Sequence, residues 1–212
     1  MHIPIQCTNF AANYYYNYYQ MNSKVNTNDD EEEELSIVPI FEDNYNLLSI
    51  KFGDKLNEYD YAFDRLNDLD YLRQFFKENE DYLSRPAWSK IPTIESAVRQ
   101  VRNEAIELED RLEEYSANAT MGRTPDLDSL FQFLGGSEFE DVYELAPMKA
   151  YGPGRPSMIR IYALKLQPNR YVVTGAGIKL HDSIQSSPGI KDYVLQDIRR
   201  TRRWLLSSGI LN

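Results

Sequence analysis

Two segments between Met158 and His181 have the composition of β-strands. Met158–Leu166 is rich in Ile, Tyr and Leu, and Tyr171–Thr174 resumes a β-branched run. The residues between them, Gln167–Arg170, include Pro and Asn, which favour a turn. The stretch therefore predicts strands joined by a turn, and we expect the rest of the chain to fold around the sheet that they form.

Side-chain alternation along this stretch predicts where its charges lie. In a strand, successive side chains point to opposite faces of the sheet. The two Ile residues that flank Arg160 then share one face, while Arg160 and Tyr162 share the other. The same period places Lys179 beside His181 after a Gly-Ala-Gly segment. A small sheet that presents these four side chains in one neighbourhood is suited to a phosphate-rich ligand.

Charge is distributed unevenly along the 212 residues, whose net charge is −10. Residues 1–145 contain 12 basic and 30 acidic side chains, a net of −18, whereas residues 146–212 contain 11 basic and 3 acidic side chains, a net of +8. The C-terminal third is therefore the part suited to nucleic acid, and the acidic portion is suited to shielding it.

Cysteine and histidine are too rare for several classes of site. The single cysteine, Cys7, excludes an internal disulfide framework, and the two histidines, His2 and His181, exclude a His-rich metal site. No apolar run approaches the roughly 20 residues that span a bilayer. No basic segment followed by an apolar one marks a signal peptide. We therefore expect a cytoplasmic protein that uses no metal or other cofactor.

Residues 1–34 lack the composition of a folded domain. Asn9–Gln20 is rich in Tyr and Asn, and the segment ends in six consecutive acids, Asp29–Glu34. A run of like charges repels itself and has little to bury, so we expect a disordered tail. The alternative is a Tyr-rich recognition element. The abrupt change of composition at Met21 raises the hypothesis that translation starts there.

Residues 35–140 are expected to form an acidic helical extension that begins with a hairpin. Leu35–Phe41 and Leu47–Phe52 are the two β-rich segments, and Pro39 indicates that the first is an edge strand. Thr93 is suited to cap a long helix over Thr93–Ser116. Its apolar residues recur every three or four positions. They are Ile94, Val98, Val101, Ala105, Leu108, Leu112 and Tyr115.

This apolar seam supports two interpretations. It suits a coiled coil with a second copy or a partner, and it also suits packing within the chain, against Tyr61–Leu83 or Leu127–Leu134. Coiled coils usually have longer repeats than the three heptads here, so we favour packing within the chain.

Residues 141–212 are expected to form an α/β part that joins residues 35–140 in one globular unit. Thr124-Pro125 indicates a helix start shortly before this part. Val142–Ala146 has the composition of a strand, and Lys149–Ser157 that of a loop because of its Gly and Pro content. Ser187-Pro188 predicts the start of a last, basic helix over about Pro188–Ser207.

The order of these motifs resembles the RelE/ParE superfamily of small toxin ribonucleases, and its HigB-like branch in particular. In that branch a strand with an arginine precedes a hairpin, a glycine-hydrophobic-Lys segment, a polar stretch and a helix. The corresponding segments here are Met158–Ile161, Asn169–Val173, Gly177–Leu180 and the helix start at Ser187. The likeness covers roughly Val142–Trp204.

The chain also departs from that pattern. Superfamily members are shorter and basic overall, and the HigB-like branch usually has a Lys-Lys pair where this chain has Lys179-Leu180. The acidic helical extension is outside the toxin pattern. Its Phe63-Asp64-Arg65-Leu66 region resembles a group of bacterial proteins that share this extended architecture.

The resemblance implies an α+β fold with a small antiparallel RelE-like sheet and a C-terminal helix. It also implies cleavage of mRNA, free or on the ribosome, without a metal, and neutralisation by an antitoxin protein. Such cleavage needs a base for the 2′-hydroxyl, cations for the phosphorane and an acid for the leaving 5′-oxygen. The candidate catalytic residues are Arg160, Lys179 and His181. The candidate nucleic-acid-binding residues are Tyr151 and Arg155 in a mobile loop, with Tyr162, Arg170, Arg199 and Arg203.

Each candidate also has a purely structural interpretation. Arg160 would pair with Asp141 or Glu144 on a neighbouring strand, Lys179 would protect an edge strand, and His181 would lie on the surface. The chain would then be a non-catalytic interaction protein whose acidic helices mask the basic face.

Overall fold

A computed structural model of the protein describes residues 23–24, 34–135 and 145–209. In these ranges seven strands form one mixed sheet, with the order β1-β2-β3-β7-β6-β5-β4. The strands are β1 (Ser23–Lys24), β2 (Glu34–Phe41), β3 (Asn44–Phe52), β4 (Gln132–Phe133), β5 (Ala146–Tyr151), β6 (Ile159–Gln167) and β7 (Arg170–Ile178). The α-helices are α1 (Glu58–Asn67), α2 (Leu69–Glu78), α3 (Glu80–Leu83), α4 (Ile94–Met121), α5 (Leu127–Leu130) and α6 (Val194–Ser207), and Pro86–Trp88 forms a 3₁₀ turn. The predicted α+β class is confirmed.

Strands β2 and β3 form the predicted N-terminal hairpin. They pair antiparallel, and a two-residue turn, Glu42–Asp43, joins them. Asp43, the second residue of the turn, has a φ of 56°, in the left-handed region that Asp tolerates better than most residues. Of the residues in β2, Glu34 and Leu35 pair with β1. Pro39 lies beyond this paired part, so its lack of an N–H removes no hydrogen bond between β1 and β2.

The sheet is larger than predicted and is not purely antiparallel. Strands β5, β6 and β7 are antiparallel neighbours, but β3 pairs with β7 in parallel. Strand β7 is buried along almost its whole length, which is typical of a central strand covered on both faces. The N-terminal hairpin therefore extends the C-terminal sheet rather than lying beside it. Its pairing with β7 covers Tyr171–Val173, at the opposite end of β7 from Lys179.

The long helix α4 forms as predicted and packs within the chain. Thr93 caps it, and the side chain of Ser96 completes a reciprocal capping box. The helix continues to Met121, five residues past the expected end, and Gly122 closes it in the left-handed conformation. The middle five residues of its apolar seam are buried in a core shared with α1, α2 and the sheet, so the coiled-coil alternative is not needed.

Both faces of the sheet are covered. Ile159 and Ile161 pack with the N-terminal helices in one core, whereas Tyr162 and Leu164 pack with α6 in a second core on the other face. The predicted alternation of β6 is therefore correct. However, Tyr162 is only 1% exposed, so the expectation that its face presents a phenol to solvent is wrong.

Three boundaries differ from those predicted. Helix α6 begins at Val194 rather than Pro188, because a series of turns over 188–193 first packs against the end of β7. Strand β5 includes Lys149–Tyr151. The Gly and Pro residues that follow them had indicated a loop. Asp126, not Thr124, caps α5, with Ser129 as its capping-box partner.

Most of the predicted tail lies outside the described residues, as do Asp141, Glu144 and most of Val142–Ala146. Inside the tail, Ser23–Lys24 pairs with the start of β2. Among the helices that the structure describes, none is both long enough and apolar enough to cross a membrane.

Candidate functional site

Two adjoining cavities lie where β5, β6 and the segment after β7 meet. The large cavity has a volume of about 600 Å³, and the small cavity about 250 Å³. Tyr151, Arg160, Lys179 and Asp182 line both of them. Residues from three separate parts of the sheet region therefore converge on one place.

Arg160 is held at the wall between the two cavities. Its guanidinium carbon lies 3.9 Å from the centre of the Tyr151 ring, on the neighbouring strand β5. Its Nη1 atom donates to the carbonyl of Ile159 at 2.7 Å and to the hydroxyl and carbonyl of Ser157 at 3.1 Å. Burial lowers the pKa of this guanidinium from its usual value. An arginine guanidinium stays protonated in proteins, so Arg160 is a fixed, partly desolvated cation.

Lys179 directly follows β7 and faces the same cavities. Its backbone N–H donates to the carbonyl of Met158 at 2.8 Å, and its ammonium donates to the carbonyl of Asp182 at 2.6 Å. Burial lowers the pKa of Lys179, and the nearby charge of Arg160 lowers it further. The structure therefore brings the two predicted cations together, while their chemical roles stay predictions.

His181 lines the large cavity on a segment with several anchors. The N–H of Ser183 donates to its Nδ1 at 3.2 Å, so the neutral ring carries its hydrogen on Nε2. The residue before it, Leu180, is fixed by two hydrogen bonds. Its N–H donates to Ser187 Oγ at 2.8 Å, and its carbonyl accepts from the Trp88 indole N–H at 3.1 Å. His181 is half-buried rather than fully exposed.

Glu104, on α4, anchors the start of β6 and was missed by sequence reasoning. It is 2% exposed, and its carboxylate accepts hydrogen bonds from the Ser157 hydroxyl at 2.7 Å and from the backbone N–H groups of Met158 and Ile159 at 3.1–3.2 Å. A signal was present, because Glu104 lies three positions after the buried Val101, on the apolar side of the helix. A charged residue there needs buried partners.

The loop before β6 folds tightly over this carboxylate. A Cβ atom at Gly152 or Gly154 would lie well inside van der Waals contact with the Glu104 oxygens, so only glycine allows this approach. The Gln100 amide also donates to the carbonyl of Pro156 at 2.6 Å. Arg155 folds back onto loop carbonyls, the shortest bond being 2.7 Å to that of Gly154. The loop predicted to be mobile is therefore held in place by several bonds.

Other predicted binding residues are not brought to the cavities. Arg170 begins β7 at the opposite end from Lys179, roughly 30 Å away at about 3.3 Å per residue. Arg199 and Arg203 are exposed on α6 and line neither cavity. These three residues therefore lie outside the two cavities, and the structure adds no support for their predicted role in binding nucleic acid. Their spacing in sequence carried no information about the direction in which β7 and α6 run.

The helical extension adds a cation that sequence reasoning did not select. Arg111, on α4, lines the large cavity with Arg155, Arg160 and Lys179. Among the described residues that line either cavity, Asp182 is the one acid. No group of three or more His, Cys, Asp or Glu side chains that would suit a metal ion occurs in the described ranges. The site is therefore a concave surface rich in hydrogen-bond donors and positive charge.

Comparisons with known proteins give no relative from which a role can be transferred. No protein-family model matches the sequence. No significant similarity to a curated protein or to a solved structure was found either. Function must therefore be argued from the chemistry of the two cavities.

Proposed function

We propose that the protein is an endoribonuclease of the RelE/HigB-like type, which cleaves mRNA without a metal at the large cavity. The observation that carries this proposal is the convergence of Arg160 and Lys179 on one cavity beside His181. An amine, a guanidinium and an imidazole can supply the base, the cation and the acid that 2′-hydroxyl attack on a phosphodiester requires. The order of β6, the hairpin to β7 and α6 also agrees with the resemblance in the C-terminal third.

The three side chains suit three distinct steps. A neutral Lys179 amine takes the proton from the 2′-hydroxyl, whose oxygen attacks the adjacent phosphorus. Arg160 stabilises the negative charge of the phosphorane. When the bond from phosphorus to the 5′-oxygen breaks, the His181 imidazolium gives its proton to that oxygen. The products are a 2′,3′-cyclic phosphate and a 5′-hydroxyl, and exchange with water restores both side chains.

The assignment of the base rests on electrostatics. Burial and the charge of Arg160 lower the pKa of Lys179, so the neutral amine is reached at lower pH than for an exposed lysine. Tyr151 has less freedom to stack on a base than we expected, because the guanidinium of Arg160 already lies against its ring. Its main contribution in this proposal is to position Arg160.

The alternative, a non-catalytic protein whose acidic helices mask the basic face, is less well supported. Masking requires acidic side chains over Arg160 and Lys179. In the described part of the chain, the helical extension instead contributes Arg111, Tyr115 and Trp88 to the large cavity. The long helix therefore adds to the positive charge at this cavity.

The direct test is cleavage of a labelled mRNA fragment by purified protein in the presence of EDTA. We expect products with 2′,3′-cyclic phosphate and 5′-hydroxyl ends. Lys179→Ala with His181→Ala should lower the rate at least a hundredfold, as expected for the loss of acid–base groups that each contribute roughly 10²–10⁴-fold. Arg203→Ala, which removes an exposed cation outside both cavities, is the matched control.

Expression in a bacterial host gives a second readout. The active protein should arrest growth, the Lys179/His181 double variant should not, and an antitoxin protein encoded by a neighbouring gene should relieve the arrest. Folded wild-type protein that leaves RNA intact, or cleavage that persists in the double variant, would overturn the proposal.

A further inference from the structure

The small cavity contains a buried hydroxyl that has no partner. Tyr162 lines this cavity, is 1% exposed, and its hydroxyl makes no hydrogen bond to any of the described residues. Buried polar side chains in proteins nearly always have a partner, because the water that they lose must be replaced. Burial also raises the pKa of Tyr162, so the phenol keeps its proton and is a donor at neutral pH. The hydroxyl therefore points to an acceptor supplied by a ligand.

The rest of the small cavity indicates that this acceptor is an anion. Lys149, Arg160 and Lys179 line the cavity together with Tyr162. The Lys149 ammonium donates to the carbonyl of Leu134 at 3.0 Å, and the Lys179 ammonium donates to the carbonyl of Asp182. Each ammonium has three hydrogens, so both have donors left for a ligand. A tetrahedral oxyanion, with acceptors on all sides, matches donors that converge from several directions.

We propose that the small cavity binds a second phosphate of the RNA strand, adjacent to the phosphate that reacts in the large cavity. This inference rests on the proposed function. Arg160 and Lys179 line both cavities, so neighbouring phosphates of one strand would both lie beside these two side chains. A volume of about 250 Å³ is several times the roughly 30 Å³ that one water occupies, and it accommodates a phosphate group. A substrate that has a single phosphate then leaves the small cavity empty.

Binding of inorganic phosphate to the full chain tests the subsite without any need for catalysis. Isothermal titration should detect phosphate binding that depends on residues of the small cavity. Tyr162→Phe, which removes only the hydroxyl, and Lys149→Met, which removes a charge found in the small cavity but not in the large one, should each weaken binding about tenfold.

Two matched controls distinguish the small cavity from general effects. Thr201→Val removes another buried hydroxyl without a partner among the described residues, on α6 and away from both cavities. Lys191→Met removes an exposed cation that lines neither cavity. Both variants should bind phosphate like the wild type. Equal phosphate affinity in wild type, Tyr162→Phe and Lys149→Met would overturn the inference.

A pair of minimal substrates then connects the subsite to cleavage. The wild type should cleave a dinucleotide with an additional terminal phosphate at least tenfold more efficiently than the same dinucleoside monophosphate. Tyr162→Phe should reduce that preference while cleaving the shorter substrate at the wild-type rate. If RNA is cleaved but the preference is equal in both proteins, the subsite is wrong and the ribonuclease proposal stands. If phosphate binds as expected but no RNA is cleaved, the ribonuclease proposal alone fails.

Discussion

The Ser157 hydroxyl donates a hydrogen bond of 2.7 Å to the buried carboxylate of Glu104, 53 residues earlier in the chain. The same hydroxyl oxygen lies 3.1 Å from the Nη1 atom of Arg160, which donates to it. A buried carboxylate, a hydroxyl and a guanidinium thus form a chain from the long helix to the cavities. Glu104 is a positioning residue in this arrangement, because it fixes Ser157 and the start of β6 rather than contacting a substrate.

Replacing Glu104 should destabilise the protein strongly. Glu104→Ala leaves the N–H groups of Met158 and Ile159 buried without their acceptor, and each such loss costs roughly 1–3 kcal/mol. We expect the free energy of unfolding to fall by about 3 kcal/mol, measured by denaturant titration. Glu107→Gln, at an exposed position on the same helix, should change it by less than about 0.5 kcal/mol. A loss of less than about 1 kcal/mol in Glu104→Ala would contradict the anchoring role.

Gly154 should not tolerate a side chain while Glu104 is present. Its Cβ atom would collide with a carboxylate that several hydrogen bonds hold in place. Gly154→Ala should therefore lower the free energy of unfolding by about 1–3 kcal/mol. In the Glu104→Ala background the collision is absent, so the same change should cost much less. Additive effects in this double-mutant cycle would exclude the proposed contact.

The salt dependence of RNA binding should report the number of cations in the large cavity. Four of the described cations line it: Arg111, Arg155, Arg160 and Lys179. For single strands each phosphate contact contributes about −0.7 to the slope of log K against log salt, so we expect a slope of roughly −2 to −3. Arg160→Ala should make the slope less negative by about 0.7, and Arg203→Ala should leave it unchanged. A slope near zero for the wild type would argue against an RNA-binding cleft.

The pH dependence of cleavage should depend on Arg160. Burial and the charge of Arg160 hold the pKa of Lys179 below its usual value of 10.5. In a His181→Ala background, where no protonated acid is required, the residual cleavage should therefore rise as pH increases through this lowered pKa, where the Lys179 amine becomes neutral. Arg160→Gln removes the nearby positive charge, so the midpoint should move to higher pH in addition to any fall in rate. Arg203→Gln is the control, and an unchanged midpoint in Arg160→Gln would rule out Lys179 as the base.

Asp128 should link stability to acidic pH. Partial burial acts to raise the pKa of its carboxyl, but hydrogen bonds from Tyr171 and Lys165 outweigh this effect and hold the pKa below 3.8. A depressed pKa means that the stabilisation is fully present above the ordinary value and is lost as pH falls through the folded-state value. The difference in unfolding free energy between wild type and Asp128→Asn should therefore shrink below about pH 4. A difference that is constant with pH would contradict this linkage.

Local patterns predicted much of the fold. The spacing of apolar residues identified α4, Thr93 marked its first turn, and the period of two along β6 correctly separated the face of Ile161 from that of Tyr162. These features depend on contacts between residues that are close in sequence, and helix and strand periods are the same in every protein. The same period, extended across the hairpin, predicted that Arg160 and Lys179 would meet.

Tertiary structure alone decided the rest, because it depends on how distant segments cover one another. Tyr162 is buried because α6 packs over its face of the sheet, and no local pattern in β6 predicts that cover. The parallel pairing of β3 with β7 brings an N-terminal hairpin beside a C-terminal strand. Glu104 became the anchor of the β6 loop, and Arg111 joined the large cavity, because one long helix crosses the sheet at that point. The sequence by itself determined the elements and the identity of the central cations, whereas packing between distant elements determined which of them share a site.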